Sequence, residues 1–182
     1  VTDHEGAGDG TERGGERSAL VLTASDGIAA GVRSDASGER VAERLEGLGF
    51  VVERMVVPDE RDELAAAIVD GAARHGLVVT TGGTGLTPRD VTPEATRAVI
   101  EYEVPGLAEA MRAAGRASTP YADLSRGVVG VCGRSLVVNL PGSPKGALES
   151  LDAIAAVLGH ALDTLAGPYD HAARPIPEED RP

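Results

Sequence analysis

The sequence predicts an α/β domain, a mostly parallel sheet sandwiched by helices, and three observations carry that prediction. Runs rich in Val and Leu, five to eight residues long, alternate with longer Ala-rich stretches, the order expected of strand–helix–strand units. Aromatic residues make up only 2% of the chain and tryptophan is absent, although 42% is hydrophobic. A core of Val, Leu, Ile and Ala is what buried parallel strands under helices use. Glycines, prolines and capping residues stand between the runs and punctuate them as helix starts and stops. At 182 residues the chain suits one domain with a sizeable core.

Taken in order, Ser18–Ser25 (SALVLTAS) reads as a buried strand followed by a polar loop. Gly38–Leu48 reads as a helix, with Ser37 as N-cap and Gly49 past its end. Phe50–Val57 is the second strand, and Pro58-Asp59-Glu60 opens a helix over Arg61–Arg74 that Gly76 closes. Leu77–Thr81 (LVVTT) is a short apolar strand running into Gly82-Gly83-Thr84-Gly85. Thr92-Pro93-Glu94 starts another helix, with Thr92 as N-cap and proline in the first turn. A further helix lies near Gly106–Arg116. Gly127–Leu140 holds two strands joined at Gly133-Arg134. Pro141-Gly142-Ser143-Pro144 then leads into a long helix, about Lys145–Leu165, capped by Ser143. Right-handed crossovers place the loops after successive parallel strands on one sheet edge. Ser25-Asp26, Pro58-Asp59-Glu60, the glycine run and Asn139–Pro144 are therefore expected around a single crevice.

The ends of the chain read differently. Residues 1–17 are Gly-rich, acidic and almost without apolar side chains; they bury too little to offset ordering entropy and are expected to be disordered. Residues 169–182, rich in proline, are expected to form a flexible tail. The domain is placed at 18–168. A formal net charge of −12 argues against nucleic-acid binding, which draws most of its affinity from a basic footprint. It leaves room for a small anionic substrate, because local arginines, backbone amides and a divalent cation reverse the potential inside a cleft. Cys132 is the single cysteine, which excludes an internal disulfide and fits a reducing compartment. No apolar run approaches the ~20 residues needed to cross a bilayer, and the polar start lacks a signal-peptide core. The expectation is a soluble, cytoplasmic protein without membrane or nucleic-acid partners.

The strongest local feature is Thr80–Ala95 (TTGGTGLTPRDVTPEA). Gly82, Gly83 and Gly85 let the backbone take positive φ and bring amides to a phosphate or carboxylate, beside the N-terminus of the next helix. No Lys-Ser/Thr follows, so this is not a Walker A loop, and the third glycine of a dinucleotide fingerprint is missing. Read alone, the run serves equally as a structural turn. Arg89 suits an anion and Asp90 a cation, or Asp90 merely favours the helix dipole, a contribution of roughly 0.3–1 kcal/mol. Asp59 and Glu60 either cap the next helix or face the crevice, where Asp59 and Asp90 would share Mg2+ directly or through water. Asp26 carries the same ambiguity, and Ser25 beside it suits a phosphate. Ser125 and Arg126 fit an oxyanion or an ordinary turn. Gly142, Ser143 and Pro144 either cap the last helix or form a second anion cradle. The four histidines lack metal-ligand spacing, and Cys132 in its apolar strand reads as core.

Together and in this order, Thr23-Ala24-Ser25-Asp26, Pro58-Asp59-Glu60, Thr81–Ala95, Ser125-Arg126-Gly127 and Asn139–Pro144 resemble the molybdopterin-binding domain of the MogA/MoaB family, also found in gephyrin and the plant Cnx proteins. The resemblance covers about Ser18 to Pro168. It implies an adenylyltransferase that takes ATP with Mg2+ and molybdopterin, releases pyrophosphate and leaves adenylylated molybdopterin for a MoeA-like metal-insertion protein. It also implies a homotrimer. Carried over residue by residue, it gives Asp59 and Asp90 the catalytic and Mg2+-holding roles. Gly82, Gly83, Thr84 and Gly85 then hold phosphate oxygens, and Ser25, Asp26, Arg89, Ser125, Arg126, Gly142, Ser143 and Pro144 line the pterin or nucleotide. The alternative is a MoaB-type module that binds pterin without adenylating it. Such relatives lack the acid matching Asp59 and have a changed Arg-Asp segment, whereas this chain keeps both. Gly27 departs from the larger polar residue that many relatives carry there.

Overall fold

The first strand, β1 (Arg17–Ala24), is buried from Ala19 onward and apolar there except at Thr23, as expected of a strand whose two faces are both covered. The structure, a computed structural model, describes residues 17–167. The expected disordered start and flexible tail fall outside the described residues, except at Arg17. Sequence reading placed that residue in the disordered segment; it instead opens β1, opposite Phe50 and ion-paired to Asp163 at 3.1 Å. A short helix α1 (Asp26–Ala29) follows, then α2 (Ala36–Glu46), β2 (Phe50–Val57), α3 (Arg61–Arg74) and β3 (Leu77–Thr81). The chain continues through α4 (Thr92–Arg97), β4 (Tyr102–Glu103), α5 (Pro105–Arg116), a 3-10 helix (Pro120–Leu124), β5 (Val129–Cys132), β6 (Ser135–Leu140) and α6 (Pro144–Ala166).

The six strands form one sheet in the order β2-β1-β3-β6-β5-β4. β1 pairs in parallel with β2 and β3, and β3 with β6, while β5 runs antiparallel to both its neighbours. Alternate residues of β1 serve opposite layers, as a period of two requires. Ala19 and Val21 pack with Val41 and Leu45 of α2, Met111 of α5 and Leu151, Ile154 and Leu158 of α6. Leu20 and Leu22 pack with Leu64 and Ile68 of α3 and Ala95 of α4.

Two helix starts differ from expectation, each because a side chain finds a better partner. Asp35, not Ser37, caps α2: its carboxylate accepts the Gly38 amide at 2.9 Å, and also the Thr23 hydroxyl and the Arg54 guanidinium. Ser37 lies inside the first turn, buried. Thr92 is the first residue of α4 rather than its cap, because its hydroxyl donates to the Gly82 carbonyl at 2.9 Å and its amide to Gly83 O. Ser143 caps α6 as expected, accepting the Gly146 amide at 3.2 Å, with Pro144 first in the helix. Elements α1, β4 and the 3-10 helix carry too few residues for a periodic signal.

Candidate functional site

The ends of β1, β2, β3 and β6 lie on one edge of the sheet because these four strands are parallel. β5 runs the other way, so the segment leading into it, Ser125–Gly127, arrives at that same edge. The glycine run after β3 sits at the centre. Gly82 and Gly83 have φ of 92° and 61°, the left-handed region that a side chain strongly disfavours. Space is closed as well: a β-carbon on Gly82 would lie 2.6 Å from the Ala24 carbonyl oxygen, and one on Gly83 2.3 Å from Thr92 Oγ1. A β-carbon on Gly142 would lie 3.2 Å from Gly82 Cα, so the loops after β3 and β6 touch through their backbones.

On one flank of this loop stands a cluster of acids. The Asp26 amide donates to Asp59 Oδ2 and the Asp59 amide to Asp26 Oδ1, both at 3.0 Å, which locks the loops after β1 and β2 together. Arg89 bridges Asp26 at 2.6 Å and Glu60 at 3.0 Å. Asp59 does not cap α3, whose first residue is preceded by Glu60 without a side-chain cap bond. Its Oδ1 instead points toward the glycine run, 3.5 Å from where a β-carbon on Gly83 would stand. Asp90 bounds the same run, its carboxylate 3.0 Å from the corresponding point on Gly85, and accepts the Thr87 amide at 2.8 Å and hydroxyl at 2.6 Å. Asp59 and Asp90 therefore flank one loop.

Burial pushes the Asp59 carboxyl above its usual range, and the charges of Asp26 and Asp90 add to the shift against the Asp26 amide and Arg89. Asp26 is held below its usual range by the Asp59 amide and then by Arg89. Burial works against ionisation of Asp90, yet the Thr87 hydroxyl and amide outweigh it and leave its pKa lowered. Asp26, Asp59 and Glu60 thus share the Arg89 guanidinium while Asp90 feels the charge of Arg126, so acids outnumber their cations here, a field that a divalent cation complements. Among the described residues no group of three or more His, Cys, Asp or Glu could hold a metal. A pair of carboxylates completed by water and phosphate oxygens is the pattern of Mg2+ rather than of a protein-only metal cage.

On the other flank is a cavity of about 280 Å³ between α5, the 3-10 helix and the start of α6. Ala108, Met111, Leu124 and Pro141 make it apolar, while Thr84, Ser125, Asn139 and Ser143 supply polar groups. Such a mixture suits a flat heterocycle with a few polar edges.

Of the residues singled out from the sequence, Thr84, Gly85, Ser125 and Ser143 line the cavity, and Asp26, Asp59, Arg89 and Asp90 build the acid flank. Ser25 caps α1, accepting the Ile28 amide at 3.4 Å. Gly142 and Pro144 shape the loop without lining the cavity. Two of the arginines expected beside an anion are engaged by the chain itself. Arg89 is paired to two carboxylates. Arg126 turns inward, donating from Nε to Gly85 O at 2.7 Å, from Nη2 to Asp90 O at 2.5 Å and from Nη1 to Glu94. Its backbone amide bonds Thr84 O at 2.9 Å. Arg126 is therefore a positioning residue that holds the glycine run in shape.

Arg112 was missed, and Asn139, placed at the crevice only as the start of Asn139–Pro144, was given no role of its own. Asn139 is buried, donates to Thr80 and Thr96 hydroxyls at 3.1 and 2.9 Å, and accepts the Val128 amide at 3.2 Å. A lone amide in the otherwise apolar strand SLVVNL was its signal. Arg112 shares a helix face with Ala108 and Gly115, at the i, i+4, i+7 spacing that the cavity wall follows.

Comparison with known proteins shows the family and the fold. Residues 20–160 match the family model for a probable molybdopterin binding domain. The chain is 40% identical over 156 residues to a molybdopterin adenylyltransferase from Helicobacter pylori, covering 82% of this chain and 88% of that one. It is 34% identical over 180 residues to the molybdopterin adenylyltransferase of Escherichia coli K12, covering 89% and 92%. Among solved structures, the Mog protein from Mycobacterium ulcerans superposes with a TM-score of 0.78 at 47% identity, covering 82% of this chain and 99% of that one. A MoaB from Thermus thermophilus superposes with a TM-score of 0.78 at 48% identity, covering 85% and 99%.

Proposed function

The chain belongs to the molybdopterin-binding MogA/MoaB family, and on that premise we propose that it adenylylates molybdopterin with ATP in molybdenum cofactor biosynthesis. The observation that carries the proposal is the pairing of Asp59 and Asp90 on one flank of the glycine run with an apolar cavity on the other. A pterin ring occupies the cavity, and its terminal phosphate reaches the glycine run. An oxygen of that phosphate attacks the α-phosphorus of ATP; a new P–O bond forms, the α–β bridge breaks, and pyrophosphate leaves with the bonding pair. Both reactants are anions, so positioning and electrostatic stabilisation carry the acceleration.

The amides of Gly83 and Thr84 are the donors proposed for phosphate oxygens, because the Gly82 amide donates to Leu140 O at 3.3 Å and the Gly85 amide to the Asp90 carboxylate. Asp59, with Oδ1 turned to the loop, and Asp90, directly or through water, are the residues proposed to hold Mg2+. Bound there, the ion would neutralise phosphate charge. The resemblance extends the proposal to a homotrimer in the cytoplasm that delivers its product to a MoeA-like metal-insertion protein. Exposed Val51 and Val56 on the edge strand β2 offer apolar surface to a second copy. Among the described residues, no helix is long and apolar enough to cross a membrane.

Incubation of the purified protein with ATP, Mg2+ and molybdopterin tests the reading. Pyrophosphate should form only with all three present and stop on chelation of Mg2+. Pterin binding without pyrophosphate would make the chain a binding module, and pyrophosphate without pterin a different nucleotide enzyme.

A further inference from the structure

Three arginines approach the two flanks of the glycine run, and their charges are not equally available. Arg89 is neutralised by Asp26 and Glu60, and Arg126 by Glu94. Arg112 lines the cavity and makes its hydrogen bonds only to carbonyls, from Nη1 to Gly127 O at 3.1 Å and to Ser125 O at 3.5 Å. Among the described residues no carboxylate pairs with it. The one acid on the cavity wall, Glu149, is held elsewhere by the Ser118 hydroxyl at 2.6 Å and by Lys145 at 3.7 Å.

The position of Arg112 matters as much as its charge. Its carbonyl partners, Ser125 and Gly127, bracket Arg126, whose amide bonds Thr84 O and whose side chain bonds Gly85 O. Arg112 therefore stands where the apolar cavity meets the glycine run. The carbonyl bonds fix the guanidinium while leaving Nε and Nη2 without partners among the described residues, and a planar fork with free donors is suited to a phosphate.

We infer that Arg112 is a substrate-binding residue that holds the phosphate carried by the heterocycle in the cavity, at the seam between cavity and glycine run. This rests on the adenylylation reading and adds the residue that distinguishes a phosphorylated pterin from an unphosphorylated one. A neutral heterocycle fills the cavity without using Arg112; a phosphorylated one needs it.

The test compares wild type, Arg112→Gln and Arg112→Lys in equilibrium binding of molybdopterin and of 6-hydroxymethylpterin, a pterin without phosphate, and in pyrophosphate release. Arg112→Gln should weaken molybdopterin binding by about tenfold to a hundredfold, the value of a hydrogen bond to a charged group. It should raise KM with kcat little changed, flatten the salt dependence of binding, and leave 6-hydroxymethylpterin binding as in wild type. Arg112→Lys should recover part of the loss. Equal weakening for both pterins would reduce Arg112 to a strut for the Ser125–Gly127 carbonyls and overturn the inference, as would unchanged molybdopterin binding in Arg112→Gln. Wild-type protein that binds molybdopterin but releases no pyrophosphate would defeat the adenylylation reading while the binding comparison still decides the role of Arg112.

Discussion

Replacing Arg126 with glutamine removes the brace that holds the glycine run, and the structure sets the size of the effect. Three hydrogen bonds are lost, to the carbonyls of Gly85 and Asp90 and to the Glu94 carboxylate. Each is worth about 1 kcal/mol net. The ionic one belongs near the low end, because the Arg126 side chain is 33% exposed and water screens the pair. The loop therefore loses about 2–3 kcal/mol of anchoring, equivalent to roughly 30-fold to 150-fold in the ratio of closed to open loop. Hydrogen exchange at the amides of Gly83 to Asp90 should accelerate by a similar factor, since local opening governs it. Pyrophosphate release should fall by about tenfold to a hundredfold in kcat/KM, because a disordered cradle no longer presents its amides together. Arg126→Lys should restore little, having a charge but no fork to reach separate acceptors. If exchange in the loop and the rate of pyrophosphate release both stay within about threefold of wild type, the brace is not what shapes the loop.

Two further perturbations probe the edge and the core beneath it. Asp59→Asn should lower pyrophosphate release by at least about a hundredfold while raising Tm at neutral pH without Mg2+. Burial raises the Asp59 pKa, so the stability linked to its proton is full below the ordinary carboxylate range and lost as pH rises through the elevated value. The gain from asparagine should therefore appear at about pH 7 and vanish in acid; equal Tm for the two proteins at neutral pH would remove the burial argument. Asn139→Ala leaves the Val128 amide and the Thr80 and Thr96 hydroxyls without their partner in a buried place. It should cost about 3–5 kcal/mol and lower Tm by roughly 10 °C, and a loss under about 1 kcal/mol in denaturant titration would contradict the network.

Much of the architecture was written in apolar runs, because a strand covered on both faces must be continuous in Val and Leu. Phe50–Val57, Arg61–Arg74 and Leu77–Thr81 match their expected bounds residue for residue. What escaped was set by contacts distant in the chain. The two-residue strand Tyr102–Glu103 exists because β5 offers it an open edge. Asp35 displaced Ser37 as a cap because Thr23 and Arg54, on two strands, reach the same carboxylate. At the site, parallel topology was enough to gather the loops, and so Asp59, Asp90 and the glycines could be grouped in advance. Side-chain direction was not legible. Arg89 and Arg126 looked like anion ligands from their residue type, and only the folded chain shows Arg89 bridging Asp26 and Glu60 at the surface and Arg126 turned in toward Glu94. Arg112 was hidden inside an ordinary amphipathic helix.

The double bridge of Arg89 has a mechanical meaning. Asp26 follows β1, Glu60 follows β2 and Arg89 follows β3, so a single planar cation ties the connection after β3 to two that the Asp26–Asp59 amide bonds already join. Displacing any one of them strains the other two, and the acid flank behaves as one lever rather than three independent flaps. A reactant that draws Asp59 toward itself would be felt at Arg89 through the mutual Asp26–Asp59 amide bonds.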